Sequence, residues 1–227
     1  MSYYVCYVVP LVYGFPLQMK FSVILSFLII SSVESVLGQS AYVKMGQQAL
    51  MNGDFKTAVN HLEKACVVDS TNANALWMLG YSYYHDQNYK KSITTYTRLL
   101  EIKPADESAY YFRGLAKSFL ARDASALPAE KEKCMLGAIL DLSNAISINP
   151  ADMKFYQNRG IFYRDYGLFK LQKTTRFYDK ERGIKSLKAS VADLEKVLNE
   201  NPDRKDIAAL LDISRQQLAA VITAASK

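Results

Sequence analysis

A glycine recurs at a fixed interval along the chain, each time within the same short pattern of residues. Gly46, Gly80 and Gly114 are spaced 34 residues apart, and Gly160 follows after a longer interval that contains an insertion. The most complete copy is residues 76–104, LWMLGYSYYHDQNYKKSITTYTRLLEIKP. A repeat of this length predicts a stack of similar units, each of which buries its apolar face only against its neighbours.

Each copy divides into two halves in which apolar residues recur at helical spacing. The glycine lies in the first half, and a small residue stands at one place in the second half: Ala58, Ser92, Ala138 and Ser190. We expect two antiparallel helices that approach closely at these positions. The copies span residues 39–72, 73–106, 107–152 and 153–202, and the last two contain insertions.

The repeat resembles the tetratricopeptide repeat (TPR), whose pattern is W-x2-L-G-x2-Y, then A-x3-F, then a closing Pro. The matching residues are Leu76 in the place of Trp, Leu79, Gly80, Tyr83, Ser92, Tyr96, Leu99 and Pro104. The resemblance covers about residues 39–202. It implies an all-α fold, a right-handed α-solenoid of about four TPR helix pairs, with residues 203–227 as a C-terminal capping helix. Asn72, Asp106 and Asp152 end their repeats and are predicted to be helix N-caps.

Residues 1–38 have the form of a secretory signal peptide with an upstream extension. Lys20 precedes an apolar run over residues 21–30, and Val36 and Gly38 are small enough for the cleavage positions, so cleavage is expected before Gln39. Residues 1–18 fit an extension from a misplaced start codon. The sequence therefore predicts an exported protein, periplasmic or secreted. The alternative is a membrane anchor that begins at Met1 and is not cleaved.

Composition argues against several function classes. The formal net charge is +6, a mild preference for anionic partners that is too weak to indicate nucleic-acid binding. The sequence has no phosphate-binding glycine loop, no G-x-S-x-G and no H-E-x-x-H, so we expect neither enzyme activity nor a cofactor. His61 and His85 are not at metal-ligand spacing with a cysteine, so we expect no metal. Cys66 and Cys134 are predicted to be buried thiols, although export would permit a disulfide.

The third and fourth copies share a charged variant. Arg113 and Arg159 directly precede the glycine, and Asp141 and Asp193 occupy one place in the second helices. In the first two copies both places lack these charges. We predict semi-buried structural ion pairs, formed within a repeat or across the junction of the last two repeats. The alternative is that the arginines capture a carboxylate in the groove.

The two insertions differ in character. Residues 122–133 are predicted to be a loop before a helix at 134–148. The second insertion, of 18 residues, either prolongs a helix or breaks at Thr174, Thr175 and Gly183. It lies in a basic stretch: Lys170, Lys173, Arg176, Lys180, Arg182, Lys185 and Lys188. This stretch is either a solvated helix face or a contact to anionic lipid headgroups or an acidic partner.

In the TPR family the first helices line a concave groove. The inward positions here include Trp77, Tyr81, Tyr84, Tyr111, Gln157 and Arg164. Aromatic side chains concentrate binding energy at interfaces, although several of these could simply pack between neighbouring helices. TPR domains that clamp a terminal carboxylate use Lys and Asn at these places, which this chain lacks.

The sequence therefore predicts an exported, non-enzymatic scaffold that binds a protein or peptide in an aromatic groove during envelope assembly or secretion. One alternative is a carbohydrate-binding module that uses the same aromatics, since stacked rings also hold sugars. The other is a structural assembly element that acts through its basic insertion, with an anionic membrane surface as a further partner.

Overall fold

The computed structural model describes residues 41–223, which form nine helices and no strand. Helix α1 covers residues 41–51 within this range. The other helices are α2 (Phe55–Val68), α3 (Ala73–His85), α4 (Tyr89–Ile102), α5 (Glu107–Arg122), α6 (Pro128–Ile148), α7 (Met153–Lys170), α8 (Lys180–Glu200) and α9 (Lys205–Thr223). The described chain divides into two compact units, residues 41–70 and 71–223. The predicted all-α fold is confirmed, whereas the predicted signal peptide lies outside the described residues.

The first unit is a hairpin of α1 and α2. Gly53 makes the turn with a positive φ of 72°, and Asp54 caps α2 by accepting a hydrogen bond from the Thr57 amide at 3.0 Å. A Cβ atom on Gly46 would lie 2.5 Å from Leu62 Cγ. The recurring glycine is therefore required where the two helices approach most closely.

The second unit contains three hairpins, α3/α4, α5/α6 and α7/α8, followed by α9. Consecutive helices pack against each other along this unit. The first helix of each hairpin begins after a side chain that accepts a backbone hydrogen bond. Asn72 accepts from Ala75 at 2.9 Å, Asp106 from Ala109 at 2.8 Å, and Asp152 from Lys154 at 2.9 Å. The N-cap prediction is confirmed.

Two apolar clusters fill the interior of the last two hairpins. One joins α6 and α7 and includes Ala138, Ile139, Leu142, Phe155, Phe162 and Phe169. The other attaches α9 and consists of Tyr156, Leu194, Val197, Ile207 and Leu211. Ser214 of α9 is also buried, with its Oγ 3.1 Å from the Ser190 Oγ. Within residues 41–223, no helix is long and apolar enough to cross a membrane.

The first insertion is mostly helical, so its prediction as a loop is wrong for Arg122 and for residues 128–133. The loop is confined to residues 123–127, and Pro128 is the first residue of α6. Proline suits this position because the amide hydrogen that it lacks would have no partner in the first turn. The Glu130 carboxylate accepts a hydrogen bond from the Leu127 amide at 3.3 Å and helps to close the helix start.

The second insertion both lengthens the helices and contains a break. The break covers residues 171–179, which include Thr174 and Thr175, whereas Gly183 lies inside α8. A Cβ on Gly183 would lie 2.6 Å from Leu171 Cγ, and one on Gly167 would lie 3.0 Å from the Gly183 carbonyl oxygen. Gly183 therefore permits a close crossing of α7 and α8 and does not mark the break.

The two insertions contact each other. Glu132, in the first, accepts hydrogen bonds from Tyr166 Oη and Lys170 Nζ, both at 3.1 Å. Lys170 is 5% exposed, so its assignment to the basic surface is wrong: burial of its aliphatic stem and the ion pair to Glu132 hold it inside. The other predicted basic residues remain at the surface, with Lys180 partly buried and the rest exposed: Lys173, Arg176, Arg182, Lys185 and Lys188.

Candidate functional site

Aromatic side chains from α3 and α5 form one cluster around Phe112. The Phe112 ring centroid lies 6.2 Å from that of Trp77, 5.1 Å from Tyr81 and 5.6 Å from Tyr84. On its other side it lies 5.2 Å from the Tyr111 ring. Helical spacing along α3 places Trp77, Tyr81 and Tyr84 in one row, which explains why a single ring from α5 reaches all three.

The Trp77 indole is fixed in place. Its ring stacks on Tyr81 with a centroid distance of 5.3 Å and an interplanar angle of 11°. Its Nε1 donates a hydrogen bond to Ser108 Oγ at 2.6 Å, and Ser108 donates to the Asp106 carboxylate at 2.7 Å. Asp106 also caps α5, so the indole is tied directly to the start of that helix.

The cluster continues toward the turn between α3 and α4. Tyr84 contacts Tyr89 and Phe119 at centroid distances of 5.9 Å each. Tyr89 and Phe119 stack with an interplanar angle of 3° at 4.6 Å, and Phe119 is 39% exposed. We name the aromatic surface by its seven residues: Trp77, Tyr81, Tyr84, Tyr89, Tyr111, Phe112 and Phe119. Six of these side chains are partly buried and Phe119 is exposed.

Burial keeps two tyrosines of the aromatic surface protonated near neutral pH. Burial raises the pKa of Tyr84 to about 12 and also raises the pKa of Tyr111. Burial lowers the pKa of the neighbouring His85, whose ring centroid lies 4.3 Å from that of Tyr81, and so favours the neutral imidazole. An apolar or neutral ligand therefore meets no desolvated charge on these rings.

The structure brings together four of the six predicted groove residues, Trp77, Tyr81, Tyr84 and Tyr111. The other two have different partners on α7. Gln157 accepts a hydrogen bond from Arg204 at 3.1 Å, and Arg164 pairs with the adjacent Asp165 at 3.3 Å.

Sequence reasoning missed the ring at the centre of the cluster. Phe112 stands two residues before Gly114, and Met78, at the same place before Gly80, is 6% exposed. The signal that could have found it is that Phe112 is aromatic and occupies the repeat position of Met78, which is buried in the preceding repeat. Tyr89 and Phe119 were also missed, because each lies near a helix end outside the repeat positions that were aligned.

The arginine–aspartate pairs form within their own hairpins. Arg113 donates to Asp141 through Nε at 3.0 Å and Nη2 at 2.6 Å, and Arg159 donates to Asp193 through the same atoms at 2.8 Å each. Such bidentate pairing is the strongest hydrogen-bonding geometry between a guanidinium and a carboxylate group. The hydrogen bonds to Asp193 raise the pKa of the Arg159 guanidinium.

Each arginine also reaches the preceding hairpin. Arg113 Nη1 donates to Thr97 Oγ1 at 3.1 Å, and Arg159 Nη1 donates to Ser143 Oγ at 3.1 Å. Both acceptors precede their arginine by 16 residues. The guanidinium groups are thus occupied by structural contacts on both sides, which leaves little capacity to capture a ligand carboxylate.

A further lysine joins the first pair. Lys117 Nζ lies 2.7 Å from Asp141, whose side chain is 1% exposed. Cys66 is buried, whereas the thiol of Cys134 is free and only partly buried. Within the described part of the chain, no three His, Cys, Asp or Glu side chains are grouped to hold a metal ion.

The sequence matches known repeats over part of its length. A family model for the tetratricopeptide repeat matches residues 73–106, which contain α3 and α4. Tetratricopeptide repeat protein 28 of Mus musculus is 31% identical over 87 residues, which are 38% of this chain and 4% of the mouse protein. The chain therefore spans a small fraction of that relative's length.

Solved structures match more of the chain. The crystal structure of MamA protein has a TM-score of 0.62 at 17% identity and covers 82% of this chain and 87% of its own. MamA 41-end from Desulfovibrio magneticus RS-1 has a TM-score of 0.52 at 16% identity, with 81% and 96% covered. An O-GlcNAc transferase mutant from Thermobaculum terrenum has a TM-score of 0.51 at 15% identity, with 73% and 26% covered. At these identities the likeness concerns the fold alone.

Proposed function

This chain is a tetratricopeptide repeat protein, and we propose that it is a non-enzymatic scaffold whose aromatic surface binds an extended peptide segment of a partner protein. TPR proteins commonly act as protein-interaction scaffolds. The observation that carries the proposal is the cluster around Phe112, in which rings from α3 and α5 are held together and remain partly exposed.

The rings are ordered before any partner arrives. Trp77 is fixed by stacking on Tyr81 and by its hydrogen bond to Ser108. Ordering flexible side chains costs binding energy, so a surface of fixed rings binds more tightly for the same contact area. Trp and Tyr are also the residue types that dominate measured interface energetics.

The arrangement of the rings favours a peptide over a sugar. A sugar stacks on a free aromatic face, but Trp77 and Tyr81 cover one face of each other, as do Tyr89 and Phe119. The indole N–H that could bind a sugar hydroxyl already donates to Ser108. Four of the seven rings therefore have one face already covered, which favours contact with the apolar side chains of an extended peptide over stacking on a sugar.

We further propose that the protein acts after export, in envelope assembly or secretion. The support is the basic start, apolar run and small cleavage residues within residues 19–38. Mass spectrometry of the protein purified from its own cells tests this point. A mature N-terminus at Gln39 is expected, whereas a chain that retains residues 1–38 in a membrane fraction would favour the anchor.

Selection from a random phage-displayed peptide library tests the binding site. The parent protein is the target, and the Trp77→Ala/Tyr81→Ala variant is used for counter-selection. Selected peptides are expected to bind the parent at least tenfold more tightly than the variant, since interface aromatics often contribute about 2 kcal/mol or more each. Tyr178→Ala is the matched control, because Tyr178 is 41% exposed and lies outside the aromatic surface.

The selection has a clear negative outcome. Circular dichroism and urea unfolding must first show that the double variant is folded. If no peptide distinguishes the folded variant from the parent, the aromatic surface is not the peptide site. Binding of soluble glycans by the parent alone would instead favour the carbohydrate-binding alternative.

A further inference from the structure

The net charge of the protein is concentrated in one short segment. Residues 171–188, which we name the basic segment, carry six cations against the two carboxylates of Asp179 and Glu181, a balance of +4. The six cations are Lys173, Arg176, Lys180, Arg182, Lys185 and Lys188. The formal net charge of the whole chain is +6, so all the other residues together contribute only +2. The basic segment shares no residue with the aromatic surface.

The fold gathers these cations at one end of the α7/α8 hairpin. The Asp179 amide donates a hydrogen bond to the Lys170 carbonyl oxygen at 2.8 Å, so the chain leaves α7 and enters α8 at nearly the same point. The loop between the two helices contributes the first two cations, and the first turns of α8 contribute the other four. Because an α-helix rises about 1.5 Å per residue, the last of them, Lys188, lies only about 12 Å along the axis from the first residue of α8.

Most of this positive charge is not neutralised within the protein. Among the residues that the structure describes, the six cations form a single ion pair, between Arg182 and Asp179 at 3.5 Å. Glu181 is the other carboxylate of the segment, and it is exposed. Glu132 of α6 reaches the same end of the hairpin, where the buried Lys170 balances its charge at 3.1 Å. With all of these carboxylates counted, an excess of four positive charges remains.

The cations are accessible and lie beside aromatic rings. Five of the six side chains are exposed, and Lys180 is partly buried. Tyr178 is 41% exposed, and the Arg176 guanidinium lies 5.1 Å from the ring centroid of the neighbouring Phe177. A tyrosine joins an apolar ring to a polar hydroxyl, and this residue type is enriched where lipid headgroups meet the acyl chains.

The types of cation favour a diffuse anionic surface over one defined carboxylate. Four of the six are lysines, whose ammonium groups are point charges on flexible stems. Recognition of a particular carboxylate favours arginine, because the planar guanidinium can bind both oxygens. Of the two arginines, Arg182 is already paired with Asp179 and Arg176 lies against the Phe177 ring. Lipid headgroups move within the bilayer and need no fixed arrangement of partners.

We propose that the basic segment holds the protein at the surface of an anionic lipid membrane, with the lysines among the headgroup phosphates and the Tyr178 ring at the boundary with the acyl chains. The contact is peripheral, since no helix within residues 41–223 is long and apolar enough to cross a bilayer. Each lysine or arginine near such a surface raises the affinity about fivefold. The proposal does not depend on peptide binding, because the aromatic surface lies on other helices.

Co-sedimentation with lipid vesicles tests the contact. The protein purified from its own cells is mixed with vesicles of phosphatidylcholine alone, or of equal parts phosphatidylcholine and phosphatidylglycerol. The parent is expected to bind the anionic vesicles at least tenfold more tightly, and the neutral vesicles measure any binding that does not depend on charge. Raising the salt concentration from about 0.1 M to about 1 M shortens the screening length from about 10 Å to about 3 Å, which should remove the difference.

Two matched variants separate the basic segment from the net charge of the protein. Lys185→Gln/Lys188→Gln removes two exposed lysines of the segment and keeps residues that favour a helix, so the variant should fold. It is expected to bind the anionic vesicles about tenfold more weakly or worse. Lys44→Gln/Lys103→Gln removes the same charge from exposed lysines elsewhere and is expected to bind nearly as the parent does.

Tyr178→Ala tests the ring. It should weaken binding to the anionic vesicles severalfold and leave its salt dependence unchanged, because it removes no charge.

Four results would overturn the proposal. The first is a parent that binds both kinds of vesicle equally, and the second is an equal loss in the two double variants, which would show an effect of net charge alone. The third is unchanged vesicle binding by Tyr178→Ala. The fourth is release of the protein from the anionic vesicles by soluble poly-glutamate at equal charge concentration, since an acidic protein would then be the better partner.

Discussion

The α3/α4 hairpin and the two hairpins that follow it are held together by different chemistry at equivalent places. The residue directly before the recurring glycine is Leu79 in α3/α4, Arg113 in α5/α6 and Arg159 in α7/α8. On the second helix, the equivalent places hold Thr95, Asp141 and Asp193. Leu79 and Thr95 are buried at 5% and 6% exposure. In the two later hairpins the aspartates at these places are buried and the arginines are partly buried.

The difference shows how one repeat can take its interior packing from aromatic side chains. In α3/α4 the interior depends on rings: Gly80 packs on Tyr96, and Tyr96 stacks on Phe112 at 6.1 Å. The same Phe112 contacts the partly exposed rings of the aromatic surface. In the later hairpins an ion pair holds the helices together. In α3/α4 the interior packing is therefore continuous with the proposed binding surface, whereas the Arg–Asp pairs of α5/α6 and α7/α8 include none of its residues.

The largest effect is expected from Asp141→Ala. The Asp141 side chain is 1% exposed and bonded to both Arg113 and Lys117, so its removal leaves two cations without their partner. Breaking a buried pair in this way costs about 3–5 kcal/mol in the free energy of unfolding. Asp193→Ala should cost less, because Asp193 has a single cation, Arg159, and is more exposed. Urea unfolding of both variants measures the difference.

A double variant gives the α5/α6 hairpin the uncharged residues that α3/α4 has at the same positions. Arg113→Leu/Asp141→Thr places the Leu79 and Thr95 side chains at the equivalent positions. It should recover part of the stability lost in Asp141→Ala, since apolar replacement of a buried pair is often neutral or stabilising and only Lys117 is then left without its partner. If the double variant is as unstable as the single one, the two chemistries are not interchangeable.

The next effect contrasts two glycines at the same repeat position. In Gly80→Ala the new Cβ would lie 2.9 Å from Tyr96 Cζ, on a rigid and buried ring. In Gly114→Ala the nearest atom is the Ala138 carbonyl oxygen at 3.3 Å. Overpacking costs about 1–3 kcal/mol, and replacing a helical glycine returns about 0.5–1 kcal/mol. We expect Gly80→Ala to lower stability and Gly114→Ala to leave it nearly unchanged in thermal and urea unfolding. Equal losses would show that ring packing does not distinguish the hairpins.

The stability of the α3/α4 hairpin should also depend on alkaline pH. Burial raises the pKa of Tyr84 from an ordinary value of 10.0 to about 12, so the folded protein holds this proton more tightly than the unfolded chain. The resulting stability is complete below pH 10 and is lost as the pH rises toward 12. The free energy of unfolding should therefore fall less steeply over this range in Tyr84→Phe than in the parent. Parallel curves would mean that the Tyr84 hydroxyl is more solvated than its surroundings indicate.

The sequence predicted the parts of this molecule that follow from repetition. Copies in register identify the helix pairs, the N-caps such as Asp106, and the positions of Arg113 and Asp141, because equivalent residues occupy equivalent places. The contact between Glu132 and Lys170 could not be predicted, since each lies in an insertion that the other repeats lack. The Phe112 cluster is an intermediate case. The position of Phe112 could be predicted from its alignment with Met78, whereas its contacts depend on how α3 and α5 pack.

The smallest effect concerns the bonds that link each charged hairpin to the one before it. Arg113 donates to Thr97, which is exposed, and Arg159 donates to Ser143, which is partly buried. A hydrogen bond to a charged group contributes about 1.5–3 kcal/mol when buried and less as it becomes exposed to solvent. Ser143→Ala should therefore lower the free energy of unfolding by about 1 kcal/mol, and Thr97→Val by less. In the Arg159→Leu/Asp193→Thr background, Ser143→Ala should have no further effect, because its donor is gone. A loss that persists there would show that Ser143 acts within its own helix, through its hydrogen bond to the Ile139 carbonyl oxygen, and not as a link between hairpins.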